Sequence, residues 1–184
     1  MKPFETKFTE ANNIRFETLI SEPVLTIPPQ KIDARTSVEF GIRVINLSPN
    51  SYRFIFFYLR PEIVTADGKK VKTSGGINAH RSPLADDFVL LKPGDSVTSF
   101  INAQLFWSLE PFVPKEYAKQ LVLQGRNKLG FVWSFLGLKR DTYLVRFPYE
   151  NRSSTKKVDV SEDALKEKEV DLNEETIEEI LVVG

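Results

Sequence analysis

Alternation of apolar and polar positions dominates the middle of the chain. Over residues 37–46, Val38, Phe40, Ile42 and Val44 alternate with Glu39, Gly41, Arg43 and Ile45, the period-2 pattern of a strand that buries one face. Residues 52–59 are nearly all aromatic or β-branched, with Tyr52, Phe54, Phe56 and Tyr58 on one side and Arg53, Ile55, Phe57 and Leu59 on the other. That density predicts a central strand covered on both faces. Between the two, Asn46-Leu-Ser-Pro-Asn-Ser51 supplies turn chemistry: Asn and Ser bond nearby backbone, and Pro49 has no N–H to give a ladder. The pair is expected as antiparallel neighbours.

Further strands follow at short intervals. Residues 61–65 run into Ala66-Asp67-Gly68-Lys69, an Asp-Gly turn in which Gly68 takes positive φ, and a hairpin returns over 70–72. Residues 73–84 hold Gly75, Gly76, His80 and Pro83 without periodicity and are expected as a long loop, where binding tends to sit. Residues 87–91 and 96–107 read as strands joined by the Pro93-Gly94 turn, and Val97, Ser99, Ile101, Ala103 and Leu105 share one face of the second. Pro114 and Glu116 mark the opening of a short helix through Gln120. Residues 121–124 and 131–136 read as strands around 125–130. Residues 141–151 alternate again, Tyr143, Val145, Phe147 and Tyr149 against Thr142, Leu144, Arg146 and Pro148, with Pro148 expected at an edge or strand end. The last stretch fits two patterns. Asn173 ahead of Glu174 and Glu175, with Ile177, Ile180 and Leu181, suits a capped amphipathic helix, whereas 176–183 also suits a strand returning to the fold.

Many short strands at regular spacing, almost no helical signal and no internal repeat predict an all-β antiparallel sandwich. The 184 residues lie just above one typical domain. The expected division is an N-terminal arm or first strand over 1–22, the sandwich with an inserted loop or short helix over 23–151, and an acidic segment over 152–184.

Composition removes much chemistry. Zero cysteines exclude disulfides, thiol nucleophiles and thiolate zinc sites, and the single histidine, His80, excludes multi-histidine metal sites. Lys and Arg number 25 against 25 Asp and Glu, so no net field draws the chain to nucleic acid or membranes. That balance conceals an asymmetry: residues 152–184 carry ten acids against five bases, net minus five, which leaves plus five on the remainder. No apolar run approaches the roughly 20 residues of a spanning helix, and the N-terminal residues lack the apolar core of a secretory signal. The cytoplasm is the expected location.

Phe40-Gly-Ile-Arg-Val-Ile-Asn-Leu-Ser48, an aromatic strand, Ala66-Asp-Gly68, Leu91-Lys-Pro-Gly-Asp-Ser96 and Asp141-Thr-Tyr-Leu-Val-Arg-Phe147 follow one another across residues 35–150. This order resembles bacterial immunoglobulin-like sandwich domains, and the layout is similar to that of intracellular proteinase inhibitor (BsuPI-like) domains. The resemblance implies a tyrosine corner at Tyr143, with Asp141 where that corner often has Gly. It also implies a final strand after the Tyr strand, which favours a strand over 176–183. The insertion 109–138 has no counterpart in the small inhibitor layout and would reshape an inhibitory loop.

Individual candidates for chemistry are sparse. His80 has Ser82, Asp86 and Asp87 near it only in sequence, which does not assemble a general base. Gly125-x-x-x-x-Gly130 lacks the Lys-Ser/Thr of a phosphate loop. Glu62 with Asp67, and Asp86 with Asp87, are acid pairs without a cleft. Asn46-Leu-Ser48 and Asn151-Arg-Ser153 match the glycosylation sequon but read as turn chemistry. Aromatics at Phe106, Trp107, Phe112, Trp133 and Phe135 among Lys115, Lys119, Arg126, Lys128, Lys139 and Arg140 would suit a stacking face for single-stranded nucleic acid. The bases lack regular interleaving, however, and the aromatics read as core. The expectation is a non-enzymatic protein-binding or accessory module with no cofactor or metal, whose partner is another protein rather than nucleic acid or a membrane. Its surface is expected at Gly75, Gly76, His80 and Arg81 of the loop with Trp107 and with Phe112, Lys115, Arg126 and Lys128 of the insertion. A proteinase inhibitor is the alternative and a divergent hydrolase the third reading.

Overall fold

Asn12 and Asn13 both take positive φ, 51° and 60°, the left-handed pair that a two-residue hairpin turn requires and that Asn tolerates. They join β1 (Phe8–Ala11) to β2 (Ile14–Ile20). There follow β3 (Val24–Leu25), β4 (Arg35–Asn46), β5 (Tyr52–Ile55), β6 (Glu62–Thr65), β7 (Thr73–Ser74), β8 (Phe88–Leu91), β9 (Ser96–Ser108), β10 (Gln120–Arg126), β11 (Val132–Leu138), β12 (Asp141–Tyr149) and β13 (Glu175–Val183). The computed structural model describes residues 8–56, 59–75, 84–108, 119–127, 132–149 and 175–183. Among these the one helical piece is a 3₁₀ turn, Ala85–Asp87, and no helix is long and apolar enough to cross a membrane.

The strands form an all-β sandwich. One sheet runs β1-β2-β4-β9-β10-β11-β7, a second runs β3-β13-β12-β6, and β5 and β8 pair by themselves. Every pairing is antiparallel except β13 with β3. Phe16, Val38, Phe40, Ile42, Val44, Ile101, Leu105 and Leu123 of the large sheet share one buried cluster with Ile63, Tyr143, Val145, Phe147 and Val183 of the second. Phe54 of β5 meets Phe16 edge-on, ring centroids 6.5 Å apart. Trp133 lies across Gly125, its register partner on β10; a Cβ there would sit 2.1 Å from the indole, so only glycine lets the ring reach the core. Gly137, at φ 72°, is the extra residue between the register pairs Val122↔Leu136 and Leu121↔Leu138, a bulge that increases local twist.

Alternation over 37–46 and 96–107 is realised as expected, with Val38, Phe40, Ile42 and Val44 of β4 and Ser99, Ile101, Ala103 and Leu105 of β9 buried. The Asp67-Gly68 turn forms, Gly68 at φ 81°, although its return is a bridge of Lys70 to Val64 rather than a full strand. The Tyr143 hydroxyl accepts from Lys139 N at 2.9 Å and donates to Lys139 O at 3.2 Å, the return bond of a tyrosine corner. Burial pushes this phenol above its ordinary pKa. Pro148 lies near the end of β12, past the reach of β6 and opposite Thr176. The C-terminal ambiguity resolves to strand: β13 pairs with β12 over nine residues.

Several expectations are corrected. Residues 52–59 do not make a central strand beside β4: among the described residues of that run Tyr52–Ile55 is strand, and it pairs with β8. The reason is competition for an edge, because β2 and β9 occupy both sides of β4. Thr73 and Ser74, expected in a loop, pair with Phe135 and Ser134, and Asp87 belongs to the 3₁₀ turn before β8. The short helix does not reach Gln120. Lys119 takes φ 59° and donates its N–H to Ser108 O at 2.6 Å, which launches β10 as an extended partner of β9. Phe57 and Tyr58, residues 76–83, the helix opening at 114–118, residues 128–131 and the acidic stretch 150–174 lie outside the described residues.

Candidate functional site

Each inward residue of the large sheet has an outward neighbour, and register joins those neighbours into rows. The first row is Glu17–Arg43–Thr98, with an Arg43–Glu17 ion pair at 3.7 Å. Next comes Leu19–Gly41–Phe100, then Glu39–Asn102–Arg126, then Ser37–Gln104–Gln124–Ser134–Ser74, and last Arg35–Phe106–Val122–Leu136. The third and fourth rows put Ser37, Asn102, Gln104 and Gln124 together, four exposed uncharged hydrogen-bonding side chains across three strands, with Ser134 buried beside Gln124. Glu39 and Arg126 flank Asn102 on either side.

Two aromatics bound this band. Phe100 is 45% exposed yet held from below, since a Cβ on Gly41 would come within 2.6 Å of its ring. At the other end the Arg35 guanidinium stands 4.5 Å over the Phe106 ring, a cation–π contact that orients both groups. Gln124 Nε2 donates to Ser134 Oγ at 3.0 Å. Past the last residue of β2, Ser21 continues the ladder: its N–H donates to Glu39 O at 3.0 Å and its Oγ accepts from Glu39 N at 2.9 Å. A groove of about 390 Å³ opens there, lined by Ser21, Ser37, Glu39, Asn102 and Gln104 with Val38 and Ala103. A second cleft, about 340 Å³, lies by β6 and β11, with Arg60, Glu62, Lys70 and Phe135 in its lining. Its Glu62 is paired with Lys70 at 2.9 Å.

Of the residues singled out from sequence, Gly75, Trp107 and Arg126 are described. Gly75, at φ 114°, abuts Val132, where a Cβ would lie 2.7 Å from the carbonyl oxygen. Val132 is in turn the register partner of Arg126, so Gly75 and Arg126 share one end of the β10–β11 hairpin. Trp107 is opposite Leu121 at the other end, about 17 Å away at the rise of a strand. Its side chain packs against the core, and Nε1 donates to Pro28 O at 2.9 Å. Gly76, His80, Arg81, Phe112, Lys115 and Lys128 lie outside the described residues. Sequence reading followed the inward face of 96–107 and passed over its outward set, Thr98, Phe100, Asn102 and Gln104. The available signal was the lack of charge at every one of those positions.

Asn46 of the first sequon is fully buried in its turn, so that motif is structural. Among the described residues no three His, Cys, Asp or Glu side chains gather as metal ligands would. No protein-family model matches the chain, and no curated protein matches it in sequence.

Proposed function

We propose that the chain is a non-catalytic, immunoglobulin-like accessory module that binds its partner through the outer face of β4, β9 and β10. The observation that carries this reading is the run of exposed amides with Ser37 beside an open groove, and the half-exposed Phe100 at its edge, because a few polar groups and an aromatic fixed on one rigid sheet face suit recognition of a ligand. Strand order supports the immunoglobulin-like part. β4 and β9 stand as the B–E pair of such a sandwich, and β6, β12 and β13 as its C–F–G strands. The Tyr143 hydroxyl bonds to Lys139 add to that support.

The test uses the full chain as immobilised bait in an extract of its source cells, beside a variant carrying Asn102→Ala, Gln104→Ala and Arg126→Ala. All three side chains are exposed, so the melting temperature should stay unchanged. The reading expects a ligand retained by the parent chain and released by the variant. Equal retention would refute the assignment of this face.

A further inference from the structure

We infer that the outer face of the large sheet takes a neutral glycan, a chain of uncharged sugars lying along β9 from Phe100 towards Phe106. The inference rests on the binding-module reading and specifies its ligand. Asn102, Gln104 and Gln124 each offer a donor and an acceptor on one planar amide, the pairing that hydroxyl groups need, since each hydroxyl also donates and accepts. Same-face residues on a strand are about 6.8 Å apart and neighbouring strands about 4.8 Å. The three amides thus form a triangle on the scale of one sugar ring, and the band from Phe100 to Phe106 runs about 20 Å.

Phe100 supplies what amides lack. Its half-exposed ring, propped on Gly41, gives an apolar surface for the C–H faces of a sugar, the same amphipathic logic that puts aromatics at wet interfaces. The groove beside Asn102 and Gln104 has about 390 Å³, within the range of small-ligand sites.

The same composition disfavours other occupants. A polyanion would meet too few cations, because Arg43 pairs with Glu17, Arg35 is stacked on Phe106 and Arg126 shares its row with the carboxylate Glu39; nucleic-acid affinity needs several free ones. A protein partner, the expectation from sequence, is met by cores rich in Tyr, Trp, Met and Arg and poor in Ser, whereas this band holds Ser37 and three amides.

The experiment is affinity electrophoresis of the full chain through gels containing glycogen, mixed-linkage β-glucan or galactomannan, with heparin as the charged control and sedimentation velocity for self-association. Retardation by at least one neutral polysaccharide is expected. It should weaken about tenfold in Gln104→Ala, the equivalent of one good hydrogen bond, and comparably in Phe100→Ala. Gln104 is exposed, so its variant should keep the parental melting temperature and remains informative if Phe100→Ala disturbs the fold. No retardation by any neutral polysaccharide, retardation by heparin alone, or retardation indifferent to Gln104→Ala would each overturn the inference. A dimer abolished by Phe100→Ala in the absence of glycan binding would also overturn it, by showing that a second copy covers the face. Extract retention lost in the triple variant, with neutral polysaccharides inert, would leave the binding-module reading standing and remove only the glycan.

Discussion

Asn46→Ala should destabilise the chain by about 4 kcal/mol. Asn46 is fully buried at the end of β4. Its amide donates to Asn50 O at 2.7 Å and Leu91 O at 3.0 Å, and its carbonyl oxygen accepts from Ser48 N at 3.0 Å and Ser48 Oγ at 2.7 Å. One side chain thereby ties the β4–β5 turn to β8. After truncation Ser48 Oγ keeps Asn50 O at 3.1 Å, whereas Leu91 O and Ser48 N lose their amide partner. Stranding two buried polar groups costs about 1–3 kcal/mol each, a large share of a total stability of roughly 5–15 kcal/mol. Equilibrium urea unfolding measures it, with exposed Asn102→Ala as a control expected within about 0.5 kcal/mol of the parent. Asn46→Asp adds a sign test. It keeps the acceptor for Ser48 but turns oxygen towards two carbonyls, so the new carboxyl is pushed above its unfolded pKa. The ionisation part of its penalty is absent below the unfolded pKa, about 3.9, grows as pH rises, and is complete above the folded value, while the single O–H of the acid leaves one of the two carbonyls without its donor at every pH. A loss under about 1 kcal/mol for Asn46→Ala would refute the reasoning, as would failure of acid to relieve Asn46→Asp.

Thr18 is buried with its hydroxyl unpaired, so the near-isosteric Thr18→Val should stabilise by about 1 kcal/mol in the same assay; a comparable loss would reveal a hidden partner for that oxygen. Deleting residues 175–184 strips β12 of a nine-residue partner and β3 of the one strand that pairs with it among the described residues, and should lower the melting temperature alike at low and high salt, since ladder bonds and apolar burial are little screened. An unchanged melting temperature would contradict the role of β13. The Asp67 carboxyl is held at about 2 by hydrogen bonds from Lys69 and Thr65. Being depressed, it favours the folded turn above the ordinary carboxylate range, and that contribution disappears as pH falls towards 2. Side-chain NMR titration should find the midpoint near 2, rising in Lys69→Ala; an ordinary midpoint in the parent would rule the contact out in solution.

Local pattern carried much of this fold because a strand with one wet face writes its period into the residues. β4, β9 and β12 were legible from alternation alone, and the Asp67-Gly68 and Pro93-Gly94 turns from residues that set φ. Partner choice was not legible, since hydrogen-bonded pairing is non-local and many strands offer equivalent edges. The aromatic run at 52–59 suited a place beside β4, but the Asn12-Asn13 hairpin delivered β2 to that edge, and β5 found β8. Residues 176–183 suited helix and strand equally by period; the open edge of β12, a contact more than 25 positions back in the chain, made them strand. The candidate site follows the same division. The residue types of 98–106 were in plain view, but Ser37, Asn102, Gln104 and Gln124 become one surface only when the registers of β4, β9 and β10 align them. Trp107 and Arg126 were grouped by nearness along the chain. The antiparallel pairing of β9 with β10 puts Trp107 opposite Leu121, five residues along the strand from Arg126, because reversing direction converts proximity in sequence into separation along the strand.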